Sequence, residues 1–302
     1  MRVISSTSLE AAATNPQIAS LIENVDEAWL RKIVEHISHP RQWTAQREQN
    51  KRTADFIESQ LNEFGYKTFR QSEYDNIVTE FDRDQPVTIV GAHYDSVPQS
   101  PGADDNGSAV AAMLGCAKAI SGLNLPVCFA AFNLEEEGLE GSKSFVKDFV
   151  QPENVDVKAT HILEMVGYCD HTEGSQNLPK GLPIKLARSA GDFLAIVANK
   201  TSNRILESTV RTATTYVDIL PVLGLQVFLG VERIFKDLRR SDHAPFWDAG
   251  IPAFMWTDTS EFRNSHYHQP SDTPDTLDYA FLANVTRLLV ANVAADVSRS
   301  NN

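Results

Sequence analysis

Residues 91–108 read GAHYDSVPQSPGADDNGS, and the rest of the chain is arranged around them. A mostly apolar run at 87–90 feeds into this stretch, and an Ala-rich run at 109–120 follows it. The pattern predicts a strand, a turn and a helix in direct succession. His93 and Asp95 then stand at the strand end, and Asp104 and Asp105 just before the helix. Imidazole and carboxylate groups gathered at the C-terminal edge of a sheet are the donors a hydrolytic metal site needs. Alone, the stretch is ambiguous. A His-x-Asp pair also describes a strand-end histidine bound to backbone, and an Asp/Asn/Gly turn capped by Ser108 or Asn106 needs no metal.

Outward from this stretch, 86–92, 126–132 (PVCFAAF) and 161–166 are short and almost wholly apolar, as strands buried on both faces are. Between and beside them, 108–120 and 141–150 read as helices. Strand and helix alternate, which predicts a three-layer α/β/α fold on a mostly parallel, mixed central sheet. Upstream, Trp29, Leu30, Ile33, Val34 and Ile37 share one helical face. Phe56, Ile57, Leu61 and Phe64 share another, with Gly65 as a stop. Residues 66–70 and 77–81 alternate like strands. Downstream, 195–198, 225–230 and 251–257 read as strands, 202–211 as a helix and 276–297 as a long closing helix. The polar, turn-rich segment 167–183 predicts a pocket wall. No repeat or linker interrupts the chain, so its 302 residues are expected to form a single domain, 1–302, with 1–25 a peripheral or poorly ordered lead-in.

Composition narrows the class. Hydrophobic residues are 42% of the chain, enough for a sizeable core, and no apolar run is long enough to span a bilayer. The start, MRVISSTSLEAAATNPQ, lacks the apolar centre of a signal peptide. Forty acids against 27 bases give a net charge of −13, which argues against nucleic-acid and anionic-membrane partners. Cys116, Cys128 and Cys169 are odd in number and lie in apolar surroundings. They predict free thiols in a reducing compartment and hence a cytoplasmic location. Nothing in the sequence speaks to oligomeric state.

Further polar residues fall at the other strand ends. Glu135, Glu136 and Glu137 follow the 126–132 strand. Such a run is commonly a solvated loop, yet neighbouring carboxylates can divide the labour: one binds metal while the other takes a proton from water. Glu164 stands inside an apolar strand, where an unpaired carboxylate is costly, so it needs a metal or a basic side chain. Ser241-Asp242-His243 and Tyr267-His268 complete the set, His268 in a loop with Arg263, Asn264 and His266. Of Asp104 and Asp105 only one can face a metal, with Asp105 favoured, and Gly102 and Gly107 allow tight backbone beside it. Asp95, two residues after His93, suits the second ring nitrogen.

Taken together and in order, HYDS at 93–96, PGADDNGS at 101–108, EEEGLEGS at 135–142, LEMVGY at 163–168, SDHAPFWDAGIPA at 241–253 and YHQPSDTPDTLDY at 267–279 resemble the M28 family of zinc-dependent aminopeptidases. The likeness runs over roughly residues 26–297, and a pattern of many parts is more specific than one short motif. It implies a fold of the zinc-exopeptidase type and hydrolysis of the N-terminal peptide bond of peptides with a free N-terminus. It also implies two zinc ions, in a ligand set that manganese or cobalt would also accept. His93 is similar in place to a ligand of the first zinc, and Asp105 to the carboxylate both ions share. Glu136 and His268 resemble the ligands of the second zinc, Glu164 the last acidic ligand of the first, and Glu135 the general base. Asp95 falls where the family keeps a partner of the first histidine, and Asp242 is expected to support the site from close by. Tyr267 stands where some members stabilise the oxyanion. Glu164 is a departure, since many members carry Asp there. Two other activities stay open: a single-zinc glutaminyl-peptide cyclotransferase, and a carboxypeptidase on acidic dipeptides whose carboxylate Arg239, Arg240 or Arg263 would bind.

Overall fold

A computed structural model describes residues 1–186 and 188–298. In chain order its elements are β1 (Arg2–Ser5), α1 (Pro16–Ile22), α2 (Glu27–Ile37), α3 (Arg47–Glu63), β2 (Thr68–Gln71), β3 (Asn76–Thr79), β4 (Val87–His93), α4 (Ala109–Ala119), β5 (Val127–Phe132), α5 (Glu140–Ser144), β6 (Val157–Glu164), β7 (Leu194–Ala198), α6 (Asn203–Tyr216), β8 (Val222–Gln226), α7 (His243–Asp248), β9 (Ala253–Thr257) and α8 (Tyr279–Ser298). Among the described residues the strands form one mixed sheet in the order β1-β8-β7-β9-β6-β4-β5-β3-β2. Its centre, β5-β4-β6-β9, is parallel throughout. β7 joins β9 antiparallel and β8 parallel, while β1, β2 and β3 add antiparallel pairings at the two edges.

Side chains alternate across the central strands and so feed two cores. On β5, Val127, Phe129 and Ala131 join the core shared with α2, α3, α4 and α8. Cys128, Ala130 and Phe132 join the opposite core with Phe145, Phe149 and Phe246. Helices therefore cover both faces, the expected three layers. α4 is apolar apart from Lys118 and buried along nearly its whole length, as a helix wedged between a sheet and other helices must be. α2 is amphipathic instead: Asp26 caps the amides of Ala28 and Trp29, and Leu30, Ile33, Val34 and Ile37 are buried.

Several boundaries differ from the sequence expectation. The strand expected at 225–230 is β8, three residues earlier. It ends at Gln226, where its pairing with β1 and β7 ends, and Leu229 is 95% exposed beyond it. β9 starts at Ala253, because Pro252 has no amide to give a ladder. α8 starts at Tyr279, with the Asp278 carboxylate accepting the amide of Phe281 at 2.9 Å. The first 25 residues, expected to be peripheral or poorly ordered, supply edge strand β1 and helix α1, which packs on α8 through Ile18. Cys116 and Cys128 are buried free thiols and Cys169 is a half-buried one. Among the described residues no helix is long and apolar enough to cross a membrane.

Candidate metal centre and active site

The C-terminal ends of the parallel strands converge on one spot, where open α/β sheets place their sites. β4 ends at His93, β6 at Glu164, and the chain leaving β5 carries Glu135 and Glu136. Asp105 comes from the turn before α4 and His268 from the loop after β9. Two groups of metal-competent side chains result: His93 with Glu135 and Glu164, and Asp105 with Glu136 and His268. Within each group the donor atoms lie within 4.8 Å of one another.

Asp105 joins the groups. Its Oδ1 lies 3.4 Å from His93 Nε2 and its Oδ2 3.1 Å from His268 Nε2. Around His93 Nε2, Glu164 Oε2 stands at 3.5 Å and Glu135 Oε2 at 3.9 Å. Around His268 Nε2, Glu136 Oε2 stands at 3.1 Å. His93 Nδ1 faces Asp95 at 3.3 Å. The Asp95 carboxylate also accepts the backbone amides of Glu135 and Glu136, each at 3.2 Å, and so anchors the loop that carries both glutamates. Glu137 is exposed and bonded to Gln42.

Sequence reasoning missed much of the frame that holds these groups. The Asp272 carboxylate accepts the amides of Asp104 and Asp105. The Asp104 carboxylate turns away from the histidines to accept Gly167 N and Asn264 Nδ2. Asn106 bridges Leu163 O and Met165 N, bracing Glu164 from both sides. Ser241 Oγ donates to Glu164 Oε2 at 2.6 Å. The fully buried Arg41 gathers the carbonyls of Tyr94, Pro101 and Gly102. The signal for these was faint: buried Asn, Asp and Arg look like surface residues until the fold encloses them. The turn also needs its glycines. A Cβ on Gly102 (φ +62) would fall 2.4 Å from Asp105 O, and one on Gly107 would fall 2.8 Å from Gly102 O.

The electrostatics favour a cation. Burial pushes Glu136 and Asp242 up to about 7 and Glu135 well above the carboxylate range. Burial opposes charge on His93, but Glu135, Glu164 and Asp105 outweigh it and hold its pKa well above the usual value. His268 is raised to about 10 by Asp105 and Glu136 against the same desolvation. Burial also raises Asp105, and the two histidines overcome it to hold this carboxyl well below its ordinary range. Both ring nitrogens of His93 and Glu136 Oε1 are buried without a well-formed hydrogen bond. Imidazole and carboxylate donors left unsatisfied in this way, and shared by one central carboxylate, fit zinc.

A cleft opens beside the cluster. Asp105, Glu135, Glu136, Glu164 and His268 line it together with the apolar Leu178, Leu182, Ile184, Phe193, Val197, Leu223, Leu225 and Met255. The 167–183 segment contributes wall residues as expected. Tyr267 stacks on His268, with centroids 3.8 Å apart, and its hydroxyl accepts from Arg240 Nη2 at 2.8 Å. Arg240 also pairs with Glu261, and Arg239 with Asp248. Arg263 is buried, bonded to Phe193 O and Gln176 Oε1. The three arginines are thus engaged within the chain.

Residues 76–293 match the model of peptidase family M28. The uncharacterized protein YfbL of Escherichia coli is 32% identical over 287 residues, covering 85% of this chain and 84% of that protein. Among solved structures, the LapA aminopeptidase of Legionella pneumophila superposes with a TM-score of 0.73 at 21% identity, covering 96% of this chain and 78% of LapA. BSAP, a zinc aminopeptidase from Bacillus subtilis, superposes with a TM-score of 0.54 at 28% identity, over 74% of this chain and 50% of BSAP. The matched span holds every strand-end residue of the cluster, and with that span the chain belongs to peptidase family M28, as a metallopeptidase.

Proposed function

We propose that this chain is a two-zinc aminopeptidase that removes N-terminal residues with large apolar side chains. The observation that carries the reading is Asp105, whose two oxygens face His93 and His268 separately. His93 and Glu164 with Asp105 would hold one ion, and Glu136 and His268 with Asp105 the other. Zinc, when bound, supplies a Lewis acid that polarises the scissile carbonyl and makes water a better nucleophile at neutral pH. Glu135 is the general base. It stands farther from His93 than Asp105 or Glu164 does. As a carboxylate beside the ions it can take a proton from the attacking water and return it to the leaving amine. Tyr267 accepts its hydrogen bond from Arg240, so its own proton is free to point at the developing oxyanion. The carboxylates that line the cleft suit the protonated amine of a free N-terminus, and its apolar lining suits a bulky first side chain.

The apolar lining and the engaged arginines support this reading over a carboxypeptidase on acidic dipeptides. The complete set of six cluster residues supports hydrolysis over a single-zinc cyclase. The test is a panel of aminoacyl-arylamides, N-blocked peptides and N-terminal glutaminyl peptides on protein of measured metal content. Cleavage confined to free-amine substrates, strongest for large apolar residues, is expected. Cleavage of blocked peptides alone, or pyroglutamyl formation without hydrolysis, overturns the proposal.

A further inference from the structure

We propose that Cys169, His171 and Asp278 hold a further metal ion of the zinc class, outside the active site, which ties the wall of the cleft to the start of α8. Their donor atoms lie within 4.8 Å of one another. Cys169 Sγ is 3.7 Å from His171 Nε2. A tetrahedral zinc with bonds of about 2.3 Å to sulfur and about 2.05 Å to nitrogen sets those atoms roughly 3.5 Å apart, so this pair needs only a small adjustment. Asp278 is fixed by its role at the start of α8, where Oδ1 accepts Phe281 N. A second carboxylate stands behind the imidazole: Asp192 Oδ2 is 3.7 Å from His171 Nδ1, just beyond hydrogen-bond length. Asp192 is itself held by Arg188, with contacts of 2.9 and 2.5 Å. A carboxylate on the far nitrogen of a ligating histidine is how proteins orient such rings.

The position gives the ion a task. Cys169 and His171 open the segment whose later residues, Gln176 to Leu182, line the cleft. That segment is tied to 189–191 by the backbone bonds Asp170 N to Gly191 O and Gln176 N to Ser189 O. An ion shared with Asp278 would add a tie to α8. His171 is 75% exposed, so water completes the coordination and the ion exchanges with solvent.

Sulfur makes the test selective, because the active-site cluster offers only nitrogen and oxygen. Full-length protein is titrated with cobalt(II) or cadmium(II) and the near-ultraviolet spectrum is recorded. A thiolate-to-metal charge-transfer band is expected in the parent protein. It should be abolished by Cys169→Ser, together with one equivalent of bound metal. The metal concentration needed to develop it should rise about 10-fold or more in His171→Ala. A band that survives Cys169→Ser, or none at any metal concentration, overturns the proposal. The peptidase panel is read separately, so failure of this site and failure of the aminopeptidase reading are distinguishable.

Discussion

The two halves of the sheet present the same face to very different cover. Against β5, β4 and β6, Phe132, Phe145, Phe149 and Phe246 pack ring on ring, with α5 and α7 above them. Against β7, β8 and β1, the irregular segment 176–186 lies over Val3, Ala195, Val197, Leu223 and Leu225, and the cleft opens there. Close packing fixes positions to fractions of an ångström, which groups sharing one carboxylate require. A looser cover leaves room for a substrate. Under the proposed function, one half of the molecule would hold the chemistry and the other would choose what reaches it.

The largest effect belongs to the packed half. Glu135→Gln keeps the size of the side chain and removes the base. Under the proposed mechanism kcat falls by about 10²–10⁴-fold, with bound metal unchanged in elemental analysis. Near-normal turnover in that variant would take the proton transfer away from Glu135. Next comes the packing itself. Phe145 is fully buried between Phe132, Phe149 and Phe246, so Phe145→Ala should cost about 3–5 kcal/mol in urea unfolding. A loss below about 1 kcal/mol would erase the contrast between the halves.

Acid offers a third approach to the packed half. His243, on α7, is buried, its Nε2 donates to Leu238 O at 2.9 Å, and burial holds its pKa down to about 4. The unfolded chain takes up that proton near pH 6.5, the folded chain only near 4. Its contribution is therefore whole above pH 6.5 and is lost as pH falls from 6.5 through 4. At about 1.4 kcal/mol per unit this amounts to about 3 kcal/mol. His243→Gln, whose amide can still donate to Leu238 O, should lose less stability between pH 7 and pH 4.5 than the parent. Equal losses would show that His243 does not carry the effect.

The same division governed what was legible in the sequence. β4 and β5 are short apolar runs followed at once by histidine or acids, so both the strands and the residues at their ends could be read, whereas β6 starts at Val157, four residues before the apolar stretch at 161–166 that announced it. The other half obeys weaker rules. β1 is four residues long with only Ile4 buried, too little periodicity to separate it from a loose leader. β8 could slide by three residues because its apolar run, 222–229, outlasts its ladder. Of the residues that brace the site, Asn106 and Asp272 fall inside the quoted motifs without a bracing role being readable there, and Arg41 falls in no motif. Their partners are mostly backbone atoms brought near by the fold.

The smallest expected effect tests the open half directly. Ala195 lies on β7, partly exposed, in the wall of the cleft, and Gly224 and Leu225 on β8 and Met255 on β9 line the same wall. Ala195→Leu places three more carbons where a substrate side chain would go, without displacing a buried neighbour first. The fold should barely notice, because the added group enters open space and not a filled core. Hydrolysis should notice selectively: kcat/KM for a leucyl or phenylalanyl arylamide should fall by about 10–200-fold, and for the alanyl compound hardly at all. A uniform fall would mean that the substitution disturbs the cluster and not the cleft. No fall would mean that the first side chain lies elsewhere, and that the loosely covered half of the sheet has no part in choosing the substrate.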